Sequence, residues 1–407
     1  MKKICILGGG FGGLYTALEL AEKTWLEQPE ITLIDRDDRF LFTPLLYELV
    51  TGEMAAWEIA PTFRSLLADT PVTFVQGDVE TLQVEDKVVT LTNGTRLDYD
   101  YLVMGLGGDT LYAGVPGAQE HARPFRELAD AEALKADLAA WKNQGDRFRV
   151  AIAGAGASGV ELACKLADYL GDRAEVRLID RGDSILTSFQ SSSRTAAEKA
   201  LAKRGVVVQL NASVLEVGAD FIRVESGGVE ETLPVARVLW TAGTTVNPIV
   251  ETLSLPTGDR QRLHISSTLQ VDDRPEIFAL GDIADGLDAD GQTIPTTAQA
   301  AFQQASYCAW NIWALATATP DRSPRPLLEF RYVPLGEMLS LGTDSASLSG
   351  LGLSFDGPLG YLARRMVYLL RLPTTNHQLK VGWNWITKPL TTEFEKWLGQ
   401  STSQSKR

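Results

Sequence analysis

Two glycine clusters, each followed by a helix-forming stretch and a distant aspartate, are the parts of this sequence best suited to chemistry. In each cluster the first glycine permits a tight turn out of a strand, the second lets a phosphate approach the backbone, and the third lets a helix pack closely on that strand. The free N–H groups at the start of such a helix attract phosphate oxygens. The two sets are Gly8, Gly10 and Gly13, and Gly154, Gly156 and Gly159.

The surroundings of the clusters repeat as well. Residues 3–35 and 149–180 each read as a short apolar run, a glycine cluster, an amphipathic stretch and a second apolar run that ends in aspartate. Asp35 and Asp180 close these second runs, where a carboxylate can accept hydrogen bonds from a ribose. Two complete copies predict two βαβ units and two dinucleotide sites.

Length and composition limit the class of protein. At 407 residues the chain should hold two or three domains. With 38 Lys and Arg against 52 Asp and Glu, its formal net charge is −14, which argues against a nucleic-acid binder. The three cysteines form no closely spaced pair and the three histidines are scattered, so the sequence predicts neither a dithiol redox centre nor a metal site.

No stretch of the sequence predicts a signal peptide or a membrane-spanning helix. The N-terminal apolar run is too short for the first, and the longest nearly apolar stretch, residues 307–318, is well short of the ~20 residues that a span needs. We therefore expect a protein that is made and kept in the cytoplasm.

A Gly-Asp pair after a third apolar run carries a family resemblance. The run is residues 276–280, and Gly281 and Asp282 follow it. Here the sequence resembles the two-dinucleotide-binding flavoprotein reductases, in which this motif holds the ribityl chain and the phosphate of FAD. The resemblance implies that FAD binds at the first glycine cluster and NAD(P)H at the second.

The same resemblance implies a domain order. Residues 101–108 and 239–243 match strands that cross between two domains in that family. The predicted fold is α/β, with two Rossmann-like dinucleotide-binding domains and a C-terminal α+β membrane-associating region. The FAD domain is expected over residues 1–112 and 240–327, an inserted NAD(P)H domain over 113–239, and a quinone-site and membrane-association region over 328–407.

The segment after Asp35 narrows the resemblance to one kind of reductase. Residues 40–58, FLFTPLLYELVTGEMAAWE, resemble the type II NAD(P)H:quinone oxidoreductases, which are single-chain FAD enzymes of the membrane surface. The amino-acid sequence of this segment most resembles their cyanobacterial and chloroplast branch, which reduces prenylated quinones including demethylphylloquinone and plastoquinone.

A second motif follows the Gly-Asp pair. Residues 295–305, PTTAQAAFQQA, match the family's AQxAxQ motif from Ala298 onward, and Pro295 suits the first turn of a helix. Gln299 and Gln303 are four residues apart and share a helix face. The resemblance implies that both line the quinone pocket, where an amide can donate to a quinone carbonyl. The alternative is that they are ordinary solvated glutamines.

Glu161 is the third feature. In the internal alignment it falls opposite Tyr15, so the repeated scaffold does not itself require an acid there. It could be a first-turn carboxylate favoured by the helix dipole. The resemblance implies instead that it faces the nicotinamide and the flavin, where it orients the donor or assists protonation of the quinone.

The composition changes in the C-terminal third. Between Gly357 and Thr392 there is no acidic residue, while aromatic residues are frequent and apolar ones recur at helical spacing. A basic, aromatic, amphipathic helix can lie in a membrane interface, and the resemblance favours that role. A core helix or a dimer helix is the alternative, which leaves a homodimer open. The basic residues are Arg364, Arg365, Arg371, Lys380 and Lys388.

Together these features predict an FAD-dependent NAD(P)H:quinone oxidoreductase that passes a hydride to FAD and two electrons to a membrane prenylquinone, and pumps no protons. We expect it on the cytoplasmic face of a thylakoid or plasma membrane. Asp180 favours NADH, but Arg181 could pair with the 2′-phosphate of NADPH, so both donors stay open. A redox sensor that binds the same cofactors, or a reductase of a protein acceptor, is the alternative.

Overall fold

The computed structural model describes residues 1–141, 147–319, 325–350 and 353–387. Two sheets made largely of parallel strands dominate these residues, and each is built around one of the glycine clusters. The predicted α/β class with two Rossmann-like units is confirmed.

The first sheet has eight strands. The apolar run before the first glycine cluster pairs in parallel with the run that ends in Asp35. Both runs are buried along nearly their whole length, as is typical of strands covered on both faces. In order across the sheet, the strands are Ala284–Gly286, Leu263–Ile265, Gln270–Val271, Arg274–Ala279, Tyr101–Met104, Lys3–Leu7, Glu30–Asp35 and Val72–Gln76.

The second sheet has five parallel strands and repeats the arrangement around the second glycine cluster. It lies in the chain between the segments that form the first sheet, so the first unit is made from both sides of an insertion. In order across the sheet, the strands are Val207–Gln209, Ala174–Ile179, Phe148–Ala153, Arg237–Trp240 and Ala122–Pro124. At the ends of the predicted crossing segments, 101–108 and 239–243, the chain forms an antiparallel pair, Gly108–Thr110 with Thr244–Val246.

Three smaller antiparallel sheets flank these units, and each has three strands. The one in the first unit is Val79–Gln83, Val88–Leu91 and Arg96–Asp98; the one in the second unit is Ala212–Val217, Phe221–Ser226 and Val229–Pro234; the C-terminal one is Glu337–Ser340, Ala346–Gly350 and Leu353–Asp356.

One long helix follows each glycine cluster, and further helices cover the sheets. The described α-helices are Phe11–Glu22, Leu46–Thr51, Ala56–Ile59, Phe63–Leu66, Ala118–His121, Leu128–Trp141, Ala157–Leu170, Ser191–Lys203, Ala298–Ala316 and Gly357–Arg371, and residues 375–387 are also helical. Short 3₁₀ turns lie at Thr43–Leu45, Gly171–Arg173, Pro248–Thr252, Asp259–Gln261 and Gly281–Ile283.

The helix that carries the AQxAxQ motif packs along the first glycine helix. It begins at Ala298, not at Pro295, because the Thr297 side chain caps it by accepting the Ala300 N–H. We call Ala298–Ala316 the glutamine helix. Pro295 therefore lies in the loop before it.

The C-terminal sheet is fastened to the second unit. Glu337 accepts hydrogen bonds from the Gln190 N–H and the Ser193 hydroxyl, and so caps the start of helix Ser191–Lys203 from another part of the chain. The sheet thus holds a fixed position beside the second glycine helix.

Gly357–Arg371, which we call the amphipathic helix, has two different faces. Gly360, Arg364 and Tyr368 are buried on the inner face. Leu359, Leu362, Met366 and Leu370 are 48–70% exposed on the outer face. Within the described ranges no helix is long and apolar enough to cross a membrane. Residues 388–407, including the predicted basic residue Lys388, lie outside the described part of the chain.

Candidate active site

A cavity of about 810 Å³ has walls from both Rossmann-like units. The predicted site residues that line it are Gly8, Gly10, Asp35, Gly281, Asp282, Ala298 and Glu161. The other predicted residues do not line it: Gly13, Gly154, Gly156, Gly159, Asp180, Gln299 and Gln303. The structure therefore brings the first cluster, the Gly-Asp pair and Glu161 to one space.

The first glycine cluster needs glycine at two of its three positions. Gly8 has φ +91°, and a Cβ on it would stand 2.3 Å from the Gly105 carbonyl oxygen. A Cβ on Gly13 would stand 1.8 Å from the Gly8 carbonyl oxygen, so the helix can approach the strand only without a side chain. Gly10 has no atom within 4 Å of such a Cβ, which leaves its backbone open to a bound group.

The second cluster repeats this geometry. Gly154 has φ +104°, and a Cβ on Gly159 would stand 1.8 Å from the Gly154 carbonyl oxygen. Gly156, like Gly10, faces open space. The two clusters thus share a backbone that leaves room beside the start of a helix, as a pyrophosphate requires.

The two aspartates brace the clusters. Asp35 Oδ2 accepts the Gly9 N–H at 2.6 Å, and Asp180 Oδ2 accepts the Ala155 N–H at 2.6 Å. Each carboxylate keeps acceptor capacity for a ribose hydroxyl, because two oxygens offer about four sites. Burial raises the pKa of Asp35, and the Gly9 N–H opposes that rise.

The Gly-Asp pair is held by two residues that the sequence reasoning missed. Gln304, only 1% exposed, accepts the Gly281 N–H through Oε1 at 2.9 Å. Asp282 Oδ2 accepts a hydrogen bond from Arg126 Nη2 at 3.0 Å, and Arg126 also lines the cavity. Gln304 directly follows the predicted residue Gln303, and that adjacency was a local signal for it. No motif near Arg126 in the sequence predicted its position beside Asp282.

Gln299 and Gln303 do share a helix face, but the structure does not bring them to the cavity. The chain returns across that face, and the side-chain Oε1 of Gln299 accepts hydrogen bonds from the Tyr332 hydroxyl and the Leu335 N–H. Gln303 pairs through both amide atoms with the backbone of Val333. Both amides bind the protein's own returning segment, and their role at a quinone stays a prediction.

Glu161 lies on the second glycine helix with only 6% of its surface exposed. Its Oε1 accepts the Ser340 N–H from the C-terminal sheet at 2.6 Å. Tyr47, Met338 and Tyr368 line the cavity beside it. Burial raises the pKa of Glu161 to about 7, although Arg364 and the Ser340 N–H oppose the rise. A carboxyl group with this pKa can exchange a proton near neutral pH.

A buried cluster of charges stands behind Glu161. Arg364, from the amphipathic helix, pairs with Glu48 and donates to the Pro44 carbonyl at 2.7 Å. Lys165, one helical turn after Glu161, pairs with Glu53 and lies 3.8 Å from Glu48. Burial acts to raise the pKa of Glu48, but Arg364 and Lys165 together bring it below its ordinary value.

Neither the cysteines nor the acidic and histidine side chains form a second candidate centre among the described residues. Cys5, Cys164 and Cys308 are free and buried. Burial raises the pKa of Cys5 and of Cys164 to about 12, so both stay as thiols. Within the parts of the chain that the structure describes, no group of three or more acidic, histidine or cysteine side chains could hold a metal ion.

Comparison with known proteins identifies the family. A family model for pyridine nucleotide-disulphide oxidoreductases matches residues 2–305. The demethylphylloquinone reductase NdbB of Synechocystis sp. is 50% identical over 395 residues, which cover 95% of this chain and 96% of that protein. The alternative NAD(P)H-ubiquinone oxidoreductase C1 of Arabidopsis thaliana is 39% identical, over 95% of this chain and 80% of that protein.

The solved structure of NDH2 from Plasmodium falciparum in complex with NADH shares the fold, with a TM-score of 0.83 at 17% identity over 95% of this chain and 98% of that chain. The resemblance drawn from the motifs is confirmed. This chain belongs to the pyridine nucleotide-disulphide oxidoreductase family, within its type II NAD(P)H:quinone oxidoreductases.

Proposed function

We propose that the chain is an FAD-dependent NAD(P)H:quinone oxidoreductase that reduces a membrane prenylquinone without pumping protons. The observation that carries the proposal is the shared cavity, which the first glycine cluster, the Gly-Asp pair and Glu161 all line. Bound there, FAD would supply the two-electron redox chemistry between NAD(P)H and the quinone. The likeness to a demethylphylloquinone reductase favours a prenylnaphthoquinone, with plastoquinone as the second choice.

The first unit fits FAD. The open backbone at Gly10 and the helix that begins at Phe11 suit its pyrophosphate. Asp35 keeps acceptor capacity for the ribose, and Asp282, held by Arg126, lies on the same cavity for the ribityl chain. Ala298 starts the glutamine helix, whose positive end favours negative charge on the reduced flavin.

The second unit fits the nicotinamide dinucleotide in the same way. Gly154, Gly156 and Gly159 form the phosphate turn, and Asp180 stands at the ribose position. Arg181 is exposed beside it. Both NADH and NADPH therefore remain substrates in the proposal.

Glu161 holds the proton that the reduced quinone needs. It is buried, it opens on the cavity, and burial raises its pKa to about 7. Gln299 and Gln303 act through the segment that they bind, by fixing residues 332–335 beside the glutamine helix.

The amphipathic helix is the proposed contact with the membrane. Its outer face presents leucines and a methionine to solvent, and Leu379, Trp383 and Ile386 of the following helical residues are 66–69% exposed. An apolar face on a basic helix suits the boundary of an anionic lipid surface. The proposal places the enzyme peripherally on the cytoplasmic face of a thylakoid or plasma membrane; a homodimer through this face is the alternative.

An anaerobic titration of the flavin band tests the activity. NADH or NADPH should bleach the purified holoenzyme, and a prenylated naphthoquinone in detergent should restore the band within a turnover time. Bleaching by neither nucleotide would refute the nicotinamide site. Bleaching without restoration by the quinone would point to a protein acceptor or a sensor.

Flotation with anionic phospholipid vesicles tests the membrane contact. Leu362→Glu with Leu370→Glu should release the protein from vesicles, because each places a charge on the outer face of the helix. Val229→Glu, at a residue 69% exposed on the small sheet of the second unit, is the matched control and should leave binding intact. The parent protein could instead fail to bind vesicles but form a dimer that the double variant disrupts. That result would show that the outer face binds a second copy of the chain.

A further inference from the structure

Arg364 is the most deeply buried cation contributed by the C-terminal region in the described residues. Its side chain is 1% exposed, although it belongs to a helix whose neighbouring leucines face solvent. A guanidinium is always charged, so its burial is costly unless every contact compensates. The contacts of Arg364 should therefore indicate its role in the protein.

Those contacts converge on the two carboxylates next to the cavity. Arg364 Nη1 donates to Glu48, and Nη2 lies 3.6 Å from Glu161 Oε1. Nη2 also donates to the Pro44 carbonyl, and the guanidinium lies 4.8 Å from the centre of the Tyr368 ring. Pro44 and Tyr368 line the cavity themselves.

The neighbouring residue shows that this placement is specific. Arg365 follows Arg364 on the same helix, but it stacks over Trp385 at 4.1 Å and donates to the Tyr361 hydroxyl at 3.1 Å. Among the described residues it forms no hydrogen bond or ion pair with Glu48 or Glu161. The helix thus directs one arginine to the site and the next one away from it.

We propose that Arg364 is the positioning residue for Glu161. The amphipathic helix places the Arg364 guanidinium beside the Glu161 carboxyl group, where it orients that group toward the cavity and stabilises its negative charge. The inference deepens the proposed function and rests on it for the role of Glu161. Arg364 touches neither cofactor nor substrate in this assignment. It acts through the carboxyl group that it holds.

Every packed element contributes a group that faces Glu161. Helix Leu46–Thr51 supplies Tyr47 and Glu48, and the C-terminal strand supplies the Ser340 N–H. The second glycine helix supplies Lys165, and the amphipathic helix supplies Arg364 and Tyr368. Of the charged groups, Arg364 has the largest influence on the pKa of Glu161, which it lowers. Its removal should dominate any change in the titration of that residue.

The first measurement is the pH profile of quinone turnover by the holoenzyme. The limb of the profile that reports ionisation of Glu161 should vanish in Glu161→Gln. In Arg364→Met that limb should move about 1–3 pH units higher, because an opposite charge nearby favours the ionised carboxyl. Arg364→Lys should move it less, and Arg365→Met, which removes the same charge from the same helix, should leave it in place.

The second measurement does not use activity. Hydrogen exchange at the Ser340 amide reports the bond to Glu161 Oε1, and it should quicken several-fold in Arg364→Met but not in Arg365→Met. If Arg364→Met fails to fold, the double variant Glu48→Gln with Arg364→Met removes the unpaired buried charge. Its limb should still lie above that of the parent protein.

Two results would overturn the assignment. One is an unmoved limb with unchanged exchange at Ser340 in a folded Arg364→Met protein. The other is an equal shift in Arg365→Met, which would make the effect one of helix charge in general. If quinone turnover were absent altogether, the proposed function would fail, whereas the Ser340 exchange would still decide whether Arg364 holds Glu161.

Discussion

The two glycine helices have the same backbone and different side chains at one equivalent position. Tyr15 occupies it in the first unit and Glu161 in the second, each seven residues after the first glycine of its cluster. Both reach the amphipathic helix: the Tyr15 hydroxyl donates to the Arg371 carbonyl at 2.5 Å, and Glu161 lies 3.6 Å from Arg364.

The surroundings of these two residues differ. Tyr15 packs its ring against Phe302 at 4.7 Å and stays outside the main cavity. Glu161 lines the cavity with its carboxyl group. The repeated scaffold therefore supplies two glycine turns, and at this position the second unit places a buried carboxyl group on the cavity where the first unit has a tyrosine away from it.

The largest expected effect tests what the two units share. Gly13→Ala and Gly159→Ala each put a Cβ 1.8 Å from a carbonyl oxygen, so each should distort its own turn and cost about 1–3 kcal/mol of stability. Gly13→Ala should purify without flavin colour, whereas Gly159→Ala should stay yellow and resist bleaching by NAD(P)H.

Gly10→Ala and Gly156→Ala are the matched controls for stability, because a Cβ at either position meets no atom within 4 Å. Thermal melts of all four variants compare them. Equal melting temperatures for Gly13→Ala and Gly10→Ala would contradict the close approach of helix and strand.

The next effect tests what the two units do not share. Glu161→Gln should lower turnover about 100-fold with FAD still bound, because it removes the proton that the cavity offers. Tyr15→Phe loses one hydrogen bond, about 1 kcal/mol, and should keep nearly normal turnover. Steady-state rates and flavin content distinguish them; similar losses in both would mean that the position matters only for packing.

A third effect concerns stability against pH. Because the pKa of Glu161 is raised to about 7 in the folded protein, that state holds a proton which the unfolded chain releases at lower pH. Between its ordinary pKa and pH 7 this residue should therefore make stability fall as pH rises, by at most about 1.4 kcal/mol per pH unit. Denaturant unfolding should show a flatter profile for Glu161→Gln; parallel profiles would place the proton elsewhere.

The smallest effect concerns the contact between Arg126 and Asp282 in the first unit. Arg126→Ala should weaken FAD binding about tenfold, or about 1.4 kcal/mol, because Asp282 loses the guanidinium that orients it. Arg123→Ala is the control, since Arg123 pairs with Asp137 and does not line the cavity. Titration of the apoprotein with FAD measures both. Equal affinities would remove Arg126 from the site.

Much of the scaffold could be predicted because its determinants are local. The strand, glycine turn, helix and terminal aspartate of each unit lie within about 30 consecutive residues, and the third glycine of each cluster, Gly13 or Gly159, is required by a carbonyl oxygen of the same turn. The start of the glutamine helix was misplaced because Pro295 suits a first turn, whereas the Thr297 side chain sets the actual start.

The site could be predicted only in part. Glu161 was found through the family resemblance, and the internal match to Tyr15 showed that the repeated scaffold does not itself require an acid there. The glutamines shared a face as predicted, but their partners come from residues 332–335, which no local pattern connects to that helix. Gln304 and Arg126 were missed because their significance depends on contacts with the Gly-Asp pair.

The sequence by itself determined the two dinucleotide turns, the α/β class and the family, because backbone geometry and helix dipoles are properties of short segments. Only the tertiary structure decided which side chains share the cavity. The pKa of Glu161 depends on burial and on Arg364, which is more than 200 residues away in the chain. Desolvation and charge pairing act through distance in space, and the fold alone sets that distance.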